Sequence, residues 1–141
     1  MDPADPHNLE RFLKAQEKVF ERALQELRRG RKESHWMWFI FPQIAGLGSS
    51  PTARHYAIKS KSEAEAYLRH PVLRSRLTLC AAAFLTVEGK SASEIMGYPD
   101  DLKLRSSMTL FAAVSDDEVF QRVLDKYYDG AMDQKTLELL S

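Results

Sequence analysis

The stretch Gly46-Leu47-Gly48-Ser49-Ser50-Pro51-Thr52-Ala53-Arg54-His55-Tyr56 gathers residue types suited to holding an anion. Ser50 is a good N-cap and Pro51 suits a first helical position. A helix start leaves N–H groups without partners and carries partial positive charge. Gly48, followed by Ser49 and Ser50, lets backbone amides approach a phosphate closely. Arg54 adds a formal charge, and His55 adds a titratable donor. No Gly-Lys-Ser/Thr is present, so this is not a Walker loop. No strand precedes it, so it is not a dinucleotide fingerprint either. The same residues also fit a plain structural connection.

Upstream lies Ser34-His35-Trp36-Met37-Trp38-Phe39. Two tryptophans in a basic neighbourhood can form a stacking platform for a base, or can both be core. His35 can act as a general acid or base. His35 and His55 are therefore the catalytic candidates. Downstream, Lys103, Ser106, Ser107 and Thr109 interleave with apolar residues. The serines can bond back to the preceding turn or face a pocket. Lys103 shares a helix face with Ser106 and Ser107, but no oxyanion partner is visible for a Ser-Lys nucleophile. Gln16 sits on an apolar stripe between Phe12 and Phe20, as a satisfied core amide or one aimed at a ligand. The ligand-binding candidates are Gln16, Trp36, Trp38, Gly48, Ser49, Ser50, Arg54, Lys103 and Ser106. No HExxH or CxxC spacing exists, so no metal site is expected, and nothing calls for a cofactor. Cys80, beside alanines on an apolar face, reads as an inert core thiol. Asp100 and Asp101 fit an acid/base pair or a helix start that pairs with the dipole.

Helices must position these groups. Leu9, Phe12, Leu13, Phe20, Ala23, Leu24 and Leu27 recur at three and four, which predicts one helix of about twenty residues capped by Asn8. Arg28, Arg29 and Gly30 would end it. Trp36 to Phe41 is apolar all round and must be buried; Ser34 as N-cap predicts a helix of about two turns, stopped by Pro42. Further starts are read at Pro51, at a Ser62/Glu65 capping box, at Pro71, at Ser93, at Pro99, at a Ser115/Glu118 box and at Asp133. No alternating strand with a hairpin turn is seen. The expectation is one all-α domain over residues 1–141, with about six to eight helices, no significant sheet and a flexible segment 1–8.

The 141 residues balance 20 Lys+Arg against 20 Asp+Glu. That total disfavours a nucleic-acid binder, which carries a basic excess. No apolar run approaches the ~20 residues a membrane helix needs, and the acidic start is no signal peptide. A cytoplasmic protein with no membrane partner is expected. The zero is unevenly made. Residues 28–61 carry seven basic side chains and one acidic one, net +6, whereas residues 88–141 are net −5. The basic window contains both tryptophans and the glycine loop.

The string GRKESHWMWFIFPQIAGLGSSPTARHYAI, with EAEAYLRHPVLRSRL and KLRSSMTLF, resembles the bacterial domain-of-unknown-function family numbered 1810, over nearly the whole chain. The resemblance implies a small, largely α-helical domain without an established reaction. That family is often labelled calpastatin, but an extended inhibitor should look disordered, and this chain has folded composition and clear caps. Pro51-Thr52 with His55-Tyr56 and Lys59 is also similar to a stretch in the NADAR superfamily, helical proteins linked to hydrolysis of N-glycosidic bonds in ADP-ribose-type compounds. That pattern carries a Glu just before its His-Tyr pair; Arg54 stands there here.

Three readings follow. The leading one is a pocket of Trp36, Trp38 and Phe41 with the Ser49–Ser50 loop, Arg54 and His55, holding a nucleotide-like anionic small molecule. The second is a hydrolase of N-glycosidic bonds. The third is an interaction module or homodimer, the basic segment of one copy pairing with the acidic half of another.

Overall fold

A computed structural model describes residues 4–141. Among them are ten helices and no strand. They are α1 (Glu10–Glu17), α2 (Phe20–Arg28), α3 (Met37–Ile40), α4 (Pro51–Tyr56), α5 (Lys61–Arg69), α6 (Pro71–Thr86), α7 (Ala92–Met96), α8 (Asp100–Ala113), α9 (Val119–Tyr128) and α10 (Gln134–Leu140). The all-α expectation holds, with more and shorter helices than the sequence suggests. One of the extra helices comes from a break in the first.

That break, at Lys18 and Val19, divides the long first helix in two. The two halves serve different neighbours. α1 buries Phe12 and Gln16 and packs on α3, whereas α2 turns Ala23, Leu24 and Leu27 toward α6. The cap also moves. Asn8 takes a left-handed backbone conformation, and the Asp5 carboxylate accepts from Leu9 N and Glu10 N at 2.7 and 3.0 Å. Those bonds hold the Asp5 carboxyl below its usual range, although burial and its desolvation act the other way. Segment 5–8, expected to be loose, is thus bonded to α1. Residues 1–3 of that expectation lie outside the described residues.

Other starts shift by a residue or two for the same kind of reason. Ser60, not Ser62, accepts from Glu63 N, because Glu63 is needed inward. Ser91 with Glu94 forms the capping box of α7 in place of Ser93. The Ser115/Glu118 box is absent; Ser115 Oγ accepts from Asp117 N, and Asp117 Oδ1 accepts from Val119 N. Pro51, Pro71 and Asp133 start their helices as read.

The core is aromatic at its centre. One run of rings goes Phe12–Tyr67–Phe111–Phe120, with centroids 5.1, 5.3 and 5.8 Å apart. A second goes Trp36–Phe41–Phe84–Tyr127 at 6.1, 5.8 and 5.8 Å. Such tilted and edge contacts add about 0.5–1.5 kcal/mol per pair beyond area burial. Around them α6 packs on α2 and α9, and α8 packs on α9 and α10. The α3–α4 loop folds back beside Ile58 through Ile58 N to Gln43 O and Ala45 N to Ile58 O, both 2.8 Å. That loop sets the position of the tryptophans relative to α4.

Candidate functional site

Trp36 is wholly buried. Its indole N–H donates to Glu26 Oε1 at 2.9 Å. Glu26 also accepts from Glu33 N, Ser34 N and Ser34 Oγ at 2.8, 3.0 and 2.6 Å. Burial alone would raise this carboxyl. The Ser34 hydroxyl, the two backbone N–H groups and the indole outweigh that and hold it at about 2. Ser34 is consumed here, so it does not cap α3, which is a single turn begun at Trp36. The indole therefore works as a core donor and offers no face to a ligand.

Trp38 differs. It is half-buried and lines a crevice with Gln43, Ile44, Gly48, Ala53, Tyr56 and Ala57. The crevice measures about 20 Å³, room for one water-sized guest. The Lys103 ammonium stands 5.7 Å from the Trp38 ring centroid. Lys103 is also 3.8 Å from Asp100 Oδ1, while Asp100 Oδ2 lies 3.0 Å from Lys32 Nζ. Lys32, almost wholly buried, donates to Ser34 O at 2.7 Å and lies over the Trp36 ring. One carboxylate thus links a buried lysine to the half-exposed lysine beside Trp38.

The glycine loop meets α4 for a packing reason. A Cβ at Gly48 would come within 2.7 Å of Ala53 Cβ. Gly46 has φ +106, and a side chain there would press on Leu139 of α10. Ser49 and Ser50 are exposed, and Ser50 Oγ accepts from Ala53 N at 3.1 Å, capping its own helix. Arg54 and His55 are exposed on α4, the His55 ring lying edge-on to Tyr56 at 4.6 Å. His35 is exposed between α2 and α3 and has no hydrogen bond, ion pair or ring contact with His55.

Two further candidates are occupied within the fold. Gln16 Nε2 donates to Phe39 O at 2.7 Å and to Tyr67 Oη at 3.0 Å, and Gln16 Oε1 accepts from Arg76 at 3.4 Å. Ser106 Oγ shares its one proton between Leu102 O at 3.2 Å and Asp133 Oδ2 at 3.0 Å, joining α8 to the cap of α10. Of the candidates, Trp38 and Gly48 share one crevice and Lys103 stands beside Trp38, while Arg54 is exposed on the adjoining helix α4.

Sequence reasoning missed the two buried carboxylates. Glu26 lies between Ala23 and Gly30 on the inner face of α2, and Glu63 lies beside Ala64 and Tyr67 on α5. An acid at an apolar-stripe position was the signal. Arg11 pairs with Glu63 and spends all five donors: Nε on His55 O, Nη1 on His7 O and Asn8 O, Nη2 on Ala57 O and Glu63 Oε2. Both buried carboxylates are committed to the fold.

These features define a helical domain organised by two buried acids, with a Trp-Lys surface beside a glycine-bearing loop. The chain belongs to the family described as Protein of unknown function (DUF1810), which matches residues 6–140. It is similar to the crystal structure of the conserved hypothetical protein Rv1873 from Mycobacterium tuberculosis. Identity is 52%, the match covers 99% of this chain and 98% of that one, and the TM-score is 0.93. No curated protein matches the chain. No helix among the described residues is long and apolar enough to cross a membrane.

Proposed function

We propose that this chain is a single-domain binding protein for a nucleotide-like anionic small molecule. The ligand's ring lies against Trp38, and Lys103 and Arg54 face its negative charge. The observation that carries this reading is the pairing of a half-buried Trp38 with the Lys103 ammonium at 5.7 Å, over a loop that Gly48 brings against α4. A half-exposed indole beside an ammonium suits an aromatic group that carries an anion. Hydrolysis of an N-glycosidic bond would need a carboxylate at the reacting carbon. The Asp100 carboxylate beside this surface is held between Lys32 and Lys103, Glu26 and Glu63 are committed elsewhere, and Arg54 stands where the NADAR pattern has its acid.

A thermal-shift screen with nucleotides and ADP-ribose derivatives tests the reading. At a hundred times Kd a ligand stabilises by about 2.7 kcal/mol, a rise of about 5 °C or more for a chain of this size. A true ligand also changes tryptophan emission in the wild type and in Trp36→Phe, but not in Trp38→Phe. No stabilisation across the panel, or a shift unchanged in Lys103→Ala and Arg54→Ala, refutes it.

A further inference from the structure

His55 does not face the Trp38 crevice. Ala53, Tyr56 and Ala57 of the same segment line that crevice, and at about 100° per residue His55 points to the other side of α4. There it lines a groove of about 380 Å³ with Pro6, His7, Asn8, Lys59 and Ser60. The Arg11–Glu63 pair forms the floor. A neighbouring hollow of about 460 Å³ shares Asn8, Arg11 and His55, and adds Lys14 and Glu10.

The floor determines where the groove's side chains start. Arg11 Nη1 donates to His7 O at 2.7 Å, and Arg11 Nε donates to His55 O at 2.8 Å. Two histidines 48 positions apart are therefore fixed on one guanidinium. Lys59 is fixed on the other half of the pair, its N–H donating to Glu63 Oε1 at 3.1 Å. Arg11 has no donor left for a ligand, and Glu63 is neutralised by Arg11. The remaining polar residues lining the groove carry two imidazoles, one ammonium, an amide and a hydroxyl. Preorganised cationic and neutral donors around a small concavity suit an oxyanion, and a fixed backbone lowers the ordering cost of binding.

We propose that His7, His55 and Lys59, with Asn8 and Ser60, form a binding site for a tetrahedral oxyanion, the phosphate of a monoester or free phosphate. The donors come from three separate segments. That spread suits the several oxygens of a phosphoryl group better than the two coplanar oxygens of a carboxylate. The site is independent of the Trp38 reading and lies on the other side of α4.

The test is side-chain NMR of the four histidines in the full chain, titrated with inorganic phosphate against sodium chloride at matched ionic strength. A nucleoside monophosphate and its parent nucleoside form further arms. The expected result is saturable shifts of the His7 and His55 ring signals, with His35 and His70 still. Lys59→Ala, an exposed and fold-neutral change, should weaken phosphate binding about tenfold, and His55→Gln should do likewise. If the monophosphate saturates the site at lower concentration than inorganic phosphate and the nucleoside does nothing, the ligand is an ester. The reverse order assigns free phosphate. Equal shifts of all four histidines, non-saturating shifts, or a response unchanged in Lys59→Ala overturn the proposal.

Discussion

Arg11 Nη2 and Glu63 Oε2 lie 2.6 Å apart, and 7% and 4% of the two side chains are exposed. Removing one member of a buried pair leaves an uncompensated charge and costs about 3–5 kcal/mol. Arg11→Met also frees the carbonyls of His7, Asn8, His55 and Ala57. Each of Arg11→Met and Glu63→Gln should lose about 3–5 kcal/mol in urea unfolding. The double variant should lose less than the sum of the two. Strict additivity would show that the ion pair contributes no coupling.

Glu26 predicts an acid limit. Its folded-state pKa is depressed from 4.5 to about 2, so its stabilisation is complete above about 4.5 and is lost as the pH falls toward 2. The urea midpoint of the wild type should fall across that window. Glu26→Gln should start lower at pH 7 and fall less steeply there. Identical slopes for the two proteins would refute the assignment.

Helix starts marked by proline, at Pro51 and Pro71, were legible because a missing N–H and a fixed φ act locally. Ser60 and Ser62 each stand three residues before a Glu, so local chemistry does not choose between them. The choice falls to Arg11, which comes from 52 residues away to meet Glu63. The break at Lys18 and Val19 is likewise tertiary, since no glycine or proline marks it. Trp36 and Trp38 look alike in sequence, yet one is a core donor to Glu26 and the other lies at the surface. Composition and spacing identified the residue types of the candidate site. They could not show which indole the Glu26 carboxylate would claim.

The two indoles give a direct optical test. Iodide should quench only Trp38 in the native protein, because Trp36 is fully buried. Trp38→Phe should therefore remove nearly all iodide-sensitive emission, and Trp36→Phe should leave it. Trp36→Phe should also destabilise by roughly 1–3 kcal/mol, since a buried Glu26 oxygen loses a partner. A native Trp38→Phe variant that remained strongly quenchable would contradict the burial of Trp36.

Cys80 is buried on α6, next to Ala81, and burial pushes its thiol up to about 12. Thiolate is the reactive form, so a disulfide reagent at neutral pH should leave it unlabelled until the chain unfolds. Labelling should then follow the urea transition. Fast labelling of the native chain would place the thiol at the surface.

The five-donor guanidinium also bears on kinetics. Its acceptors lie 3–52 positions away, on the segment before α1, on the end of α4 and just beyond it, and on α5. Such a clamp closes only after those segments have docked, and loop-closure entropy must be met first. Interactions made late are absent from the folding transition state. Substitution at Arg11 should therefore leave the refolding rate nearly unchanged and quicken unfolding, so that this one side chain governs how long the native fold persists once formed.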